Sequence, residues 1–229
     1  SGHAPENTIA SMEAAINMKA DLAELDVQVT ADGEIVLLHD RTMRRLAGIE
    51  KEIGELTFQE IQKLEVGSWF DLKFKGEPIP TLSDVIDFVR GKIKLNIELK
   101  TIGHEKQLAE RSLNIVKEKN FEKECFFTSF DYSQIKRIKE LSPSIRTGLI
   151  FKTIPNSINI YKSDFEILSV HYSLVNEEFI RHAFSYGKEV HVWTVNDEDE
   201  MKRLIELNVT SIITDYPDKL KNLLQSIRE

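Results

Sequence analysis

Residues Glu24 to Asp40 read E-L-D-V-Q-V-T-A-D-G-E-I-V-L-L-H-D. Polar and apolar residues alternate from Glu24 to Val29, which is the period of a strand, so Glu24 and Asp26 fall on one face. Asp32-Gly33 is a turn signal, and Ile35 to Leu38 form a second apolar run that ends in His39-Asp40. Paired as a hairpin across that turn, the two runs double the chain back and carry His39 towards the two carboxylates. The stretch is thus expected to place a pair of metal ligands and a titratable base at one mouth.

Upstream, S-G-H-A-P-E-N-T reads as a loop that runs into an amphipathic helix from about Thr8 to Met18. Asn7 or Thr8 serves as its N-cap, and Ile9, Met12, Ala15 and Ile16 form the stripe expected to be buried. Downstream, a polar, irregular insertion spans about residues 41–80, with a short helix near Thr57 to Lys63. In a barrel, an insertion after a strand is either a loop excursion or a cover over the site. A helix capped at Thr81 follows, and then Lys94 to Leu99, a strand ending in E-L-K that puts Glu98 and Lys100 on a shared face.

From there strand and helix alternate, the order of a parallel α/β protein. Helices are expected at His104 to Lys119, Tyr132 to Leu141, Asn176 to Tyr186, Glu198 to Leu207 and from Pro217. The strands are expected at Cys125 to Thr128, Arg146 to Ile150, Glu166 to Val170, Glu189 to Val195 and Ser211 to Thr214. With Glu24 to Val27 and the Lys94 strand this makes seven parallel candidates, plus the hairpin return. A TIM (β/α)8 barrel needs eight, and an open set would expose two long edges, so the reading expects a first strand upstream of Ser1. A length of 229 residues suits one such domain over 1–229.

Thirty basic against 38 acidic residues give a net charge of −8, which argues against nucleic acid as a partner. A single cysteine, Cys125, rules out an internal disulfide and any cysteine-based metal cluster; next to Phe126 and Phe127 it reads as a buried thiol, and these rings together with Phe130 read as core. No apolar run approaches the ~18 residues of a membrane span. The lone cysteine and the lack of a leader pattern point to a cytoplasmic protein; oligomeric state is left open.

In barrel enzymes the site lies at the carboxyl ends of the strands. The polar residues expected there are Glu24, Asp26, Glu98, Lys100, Ser129, His171, Trp193 and Asp215, with His39 supplied by the hairpin. Taken singly, each has an ordinary structural reading, and Asp215 reads as a helix cap before Pro217. Three carboxylates brought together from two strands repel unless a cation offsets them, and all-oxygen ligation favours Mg2+ or Ca2+ over zinc. His171 ends an apolar strand where it can contact a substrate; His104, His182 and His191 are explained by packing or exposure. Ser129 has no His-Asp arrangement around it to make it a nucleophile.

Several motifs also carry a resemblance. P-E-N-T at Pro5 to Thr8, E-L-D-V at Glu24 to Val27, the D-G turn, H-D at His39-Asp40, E-L-K at Glu98 to Lys100, V-W-T-V-N at Val192 to Asn196 and T-D-Y-P at Thr214 to Pro217 resemble, in order, the glycerophosphodiester phosphodiesterase family. The resemblance implies a TIM barrel that hydrolyses glycerophosphodiesters to sn-glycerol 3-phosphate and an alcohol with Ca2+ or Mg2+. It implies Glu24, Asp26 and Glu98 as metal ligands, His39 as one of two acid/base histidines, Lys100 as the phosphate partner and Trp193 as an apolar wall of the substrate pocket. Supporting roles fall to Glu6, Asn7 and Asp215. Attack by the glycerol 2-hydroxyl and attack by water both remain open, as does a related lysophospholipase D activity. The family's second histidine belongs to an upstream H-R-G motif that this sequence lacks; His3 occupies a variable position instead. The reading therefore expects that motif, like the first strand, upstream of Ser1, and its alternative is a non-catalytic phosphate-binding relic.

Overall fold

The computed structural model describes residues 1–103 and 107–227, which form two compact units, Ser1–Phe126 and Phe127–Glu229. The expected helix start at His104 lies outside the described residues.

In the first unit, helix α1 (Ile9–Asn17) begins at Thr8. The Thr8 hydroxyl accepts from Ser11 N and donates to Pro5 O at 2.6 Å, so this cap also ties the helix to the loop before it. Of the expected stripe only Met12 is fully buried; Ile9, Ala15 and Ile16 are half-covered. Strand β1 (Leu22–Val29) pairs antiparallel with β2 (Ile35–Leu37), with Val27 opposite Leu37 and Val29 opposite Ile35, which is the hairpin expected from the sequence. Gly33 makes the connection possible by taking φ +90°, a conformation that a side chain would strain.

The insertion contains the short helices α2 (Arg44–Ala47) and α3 (Phe58–Ile61). It is more ordered than its polar sequence suggests, because Met43, Leu46, Ile53, Leu56, Ile61, Val66 and Ile79 close a small core with Val36 and Leu38 of the hairpin. Helix α4 (Leu82–Val89) starts with a Thr81–Asp84 capping box and buries Leu82, Val85, Ile86 and Val89. Strand β3 (Lys94–Leu99) then runs parallel to β1, followed by α5 (Leu108–Glu118).

Strand β4 (Cys125–Ser129) carries the chain into the second unit. There α6 (Tyr132–Leu141), β5 (Thr147–Phe151), β6 (Ile167–His171), α7 (Glu177–Ser185), β7 (Glu189–Trp193), α8 (Glu198–Glu206), β8 (Ser211–Ile212) and α9 (Pro217–Ser226) follow in alternation. Strands β4 to β8 pair in sequence order, all parallel. All five residues of β5 are buried, as a parallel strand covered on both faces requires. The core gathers Leu149, Phe151, Phe165, Leu168, Val170 and Val192 with the inner faces of the helices. Strand β8 is shorter than the expected Ser211 to Thr214, because the Thr214 hydroxyl and the Asp215 amide turn to the Asn196 side chain.

Candidate active site

The β1–β3 register sets Asp26 directly beside Glu98 and Glu24 beside Asn96. Glu24 and Asp26 share the face that alternation assigns them, so the parallel register brings Glu98 to the same place. One ligand atom from each of Glu24, Asp26 and Glu98 lies within 4.8 Å of the other two, the grouping of a hard-cation site. Asp26 and Glu98 are buried, and Glu24 is half-buried.

Crowding leaves a clear electrostatic mark. Burial first, and then the neighbouring Asp26, raise the Glu98 carboxyl to about 7, and the same two causes hold Glu24 well above the carboxylate range. Lys100 opposes this: its Nζ stands 2.7 Å from Glu98 Oε1 and 3.1 Å from Asp26 Oδ1. Burial lowers the Lys100 ammonium, but the two carboxylates outweigh it and raise it above the ordinary lysine value. Asn7 completes the setting, with its side-chain amide donating to Asp26 Oδ2 and its carbonyl accepting from Asp26 N, both at 2.9 Å. This all-oxygen set, too anionic to be comfortable with one lysine, fits a divalent cation.

The hairpin carries His39 towards the carboxylates, near enough to act on the Glu98 carboxyl, which it lowers, and its ring also groups with Glu6 and Asp40. His39 Nδ1 is 3.0 Å from Asp40 Oδ1, and Arg45 binds Asp40 Oδ2 through Nε at 2.7 Å and Glu6 Oε1 through Nη2. Sequence reading missed Arg45, one of three arginines in five positions, of which nothing local singles it out. It also missed Gln28, on the Glu24–Asp26 face, whose amide grips the carbonyls of Leu38 and Asp40 at 2.8 Å.

In the second unit, Trp193 ends β7 and meets Phe130 and His171 edge to face, with centroids 5.6 and 5.3 Å apart. Phe126 and Phe127 are core residues as expected, but Phe130 is 51% exposed, because it lies one residue beyond β4 and packs on Trp193 instead. His171 bonds Ser173 Oγ at 2.8 Å, and burial, helped by the Lys152 charge, lowers its pKa. Asp215 is not the cap of α9, whose N-cap is Tyr216; its carboxylate accepts from Asn196 Nδ2 at 2.7 Å. Ser129 is fully buried and its hydroxyl accepts from Asp131 N. His191 is buried against Glu189, and His182 stacks on Tyr186.

An alternating parallel α/β scaffold that gathers three carboxylates and a lysine has the donor set of an enzyme that handles anionic substrates with a divalent cation. Comparison with known proteins narrows the class. The family model described as the glycerophosphoryl diester phosphodiesterase family matches residues 1–219. A glycerophosphodiester phosphodiesterase of Caldanaerobacter subterraneus subsp. tengcongensis is 33% identical over 98% of this chain and 94% of its own length. One from Bacillus subtilis is 30% identical over 95% of this chain and 81% of its own. Among solved structures, an Oleispira antarctica phosphodiesterase in complex with the product sn-glycerol-3-phosphate is 28% identical, with a TM-score of 0.92 over 98% of this chain and 93% of that one. The chain belongs to the glycerophosphoryl diester phosphodiesterase family. Its fold class is the TIM (β/α)8 barrel, and its reaction is hydrolysis of glycerophosphodiesters to sn-glycerol 3-phosphate and an alcohol. Among the described residues, no helix is long and apolar enough to cross a membrane.

Proposed function

We propose that Glu24, Asp26 and Glu98 hold the divalent cation, that the cation is Ca2+ or Mg2+, and that His39 performs acid/base catalysis. The convergence of three carboxylates, two of them paired with Lys100, carries this reading. A phosphodiester is already anionic and its leaving alkoxide is poor, so charge must be neutralised and a proton supplied. When bound, the cation supplies Lewis-acid neutralisation of charge developing on the phosphoryl oxygens. Lys100 meets a phosphoryl oxygen with its ammonium, which the Asp26 and Glu98 carboxylates keep protonated. His39, 56% exposed at its side chain, is accessible for proton transfer at the reacting oxygen. Asn7 and Glu6 support the two groups through Asp26 and Arg45, and Asp215 fixes the loop after β8 through Asn196. A substrate contact at Trp193 rests on the match of the V-W-T-V-N segment to the family motif, and one at His171 on its place at the end of β6, where the two rings pack edge to face.

The test is turnover of glycerophosphocholine, read as released sn-glycerol 3-phosphate. Activity should be lost on chelation, return with Ca2+ or Mg2+, and be absent in His39→Ala. Undiminished activity in both the chelated protein and His39→Ala would overturn these assignments. Faster turnover of a lysophospholipid than of the deacylated diester would shift the substrate instead.

A further inference from the structure

The second group of ligand-type side chains, Glu6, His39 and Asp40, looks by distance alone like another cation site. A cation already occupies it. Arg45 donates through Nε to one Asp40 oxygen and through Nη2 to Glu6, which leaves the other Asp40 oxygen to His39 Nδ1. The arrangement is a single chain of charge-assisted bonds, Glu6 to Arg45 to Asp40 to His39. That chain is braced at two points. The Trp69 ring stacks 4.7 Å from the Arg45 guanidinium, and Gln28 fixes the backbone on both sides of His39 by binding the Leu38 and Asp40 carbonyls.

We propose that Asp40 is a positioning residue for His39: its carboxylate holds the imidazole in the Nδ1–H tautomer and leaves Nε2 as the nitrogen that moves the proton. The inference rests on the acid/base role of His39 given above. A neutral imidazole can use only one ring nitrogen as a base, and the hydrogen bond made by the other decides which. Asp40 is suited to this task because the Arg45 hydrogen bond, more than any other influence, holds its carboxyl below the usual carboxylate range, so it stays an acceptor at neutral pH. Exposed ion pairs contribute little to stability. Asp40, Arg45 and Glu6 are each partly exposed, with side chains 25, 39 and 27% accessible, so the chain's effect falls on orientation and not on folding.

Asp40→Asn reverses the bond, since a side-chain amide donates to Nδ1 and favours the Nε2–H tautomer. In the Ca2+- or Mg2+-loaded enzyme, kcat for glycerophosphocholine should fall about 10- to 100-fold, the usual loss when a partner orienting a functional group is removed, while KM and cation affinity stay within about twofold. Ring 15N shifts of His39 in the wild-type protein at about pH 8.5, above the ordinary imidazole range, should show the proton on Nδ1; His39→Gln assigns the signal. This measurement needs no folded Asp40 variant. Wild-type kcat in Asp40→Asn beside an inactive His39→Ala would overturn the inference and leave the acid/base reading standing. An Nε2–H tautomer in the wild type would also overturn it. An active His39→Ala would remove both together.

Discussion

Cation binding should release protons, and by a calculable amount. A carboxyl ligates only as the carboxylate, so a cation entering among Glu24, Asp26 and Glu98 must displace whatever proton burial has placed there. Glu98 is raised from 4.5 to about 7. For that group alone, affinity for Ca2+ or Mg2+ should rise about 25-fold, or about 2 kcal/mol, between about pH 5.5 and about pH 7.5; a carboxyl at its ordinary value would give almost no change. Glu24, shifted the same way, makes the rise steeper. Lys100 is raised from 10.5 and titrates above this window. Isothermal titration calorimetry at each pH, in two buffers of different ionisation enthalpy, counts the protons directly. About one or more should leave per cation near pH 6 and few near pH 8. Flat affinity across the window, with enthalpies independent of buffer, would refute the reasoning. The sign for folding follows from the same shift. Without a cation the folded chain binds the Glu98 proton more tightly than the unfolded chain does, so this contribution to stability is fully present below about pH 4.5 and is lost as pH rises to about 7. Added cation should therefore raise the thermal midpoint more near pH 8 than near pH 5.5.

Asn7→Ala removes both hydrogen bonds to Asp26 and puts alanine at φ +56°, where asparagine is tolerated; cation affinity, measured by the same calorimetry, should fall about 10-fold or more. A methyl group on Gly67 would lie 1.9 Å from the Phe74 carbonyl oxygen, inside a loop that Glu65 ties at Gly67, Ser68 and Gly76. Gly67→Ala should thus cost about 1–3 kcal/mol in chemical denaturation, the range for overpacking, and an unchanged midpoint would show that the loop yields. Cys125 is buried and its thiol is pushed up to about 12, so a thiol reagent should label it at a measurable rate only in denaturant.

Much of this was legible from residue order. Alternation put Glu24 and Asp26 on one face, and the D-G turn with its flanking apolar runs gave the hairpin. The strand–helix rhythm gave the α/β class. The motifs gave the family, which the comparisons bear out. Where the local pattern failed, a tertiary contact had won. Asp215 reads as a cap before Pro217, yet Asn196 takes it; Phe130 reads as core beside Phe127, yet it falls past the strand end. The insertion reads as irregular because its apolar residues have no single period, and they become a core only when folded onto Val36 and Leu38.

What the sequence determined by itself was which side chains share a face, because that is a property of neighbours two residues apart and independent of the rest of the chain. It could not determine which carboxylate meets which. Glu98 stands beside Asp26 only through the β1–β3 register, and a slip of one residue would have turned it to the opposite face. Nor could it show that Arg45 would reach both Asp40, the neighbour of His39, and Glu6. That outcome depends on where the insertion packs, since Arg45 reaches Asp40 and Glu6 from a short helix whose place is set by the small core beneath it.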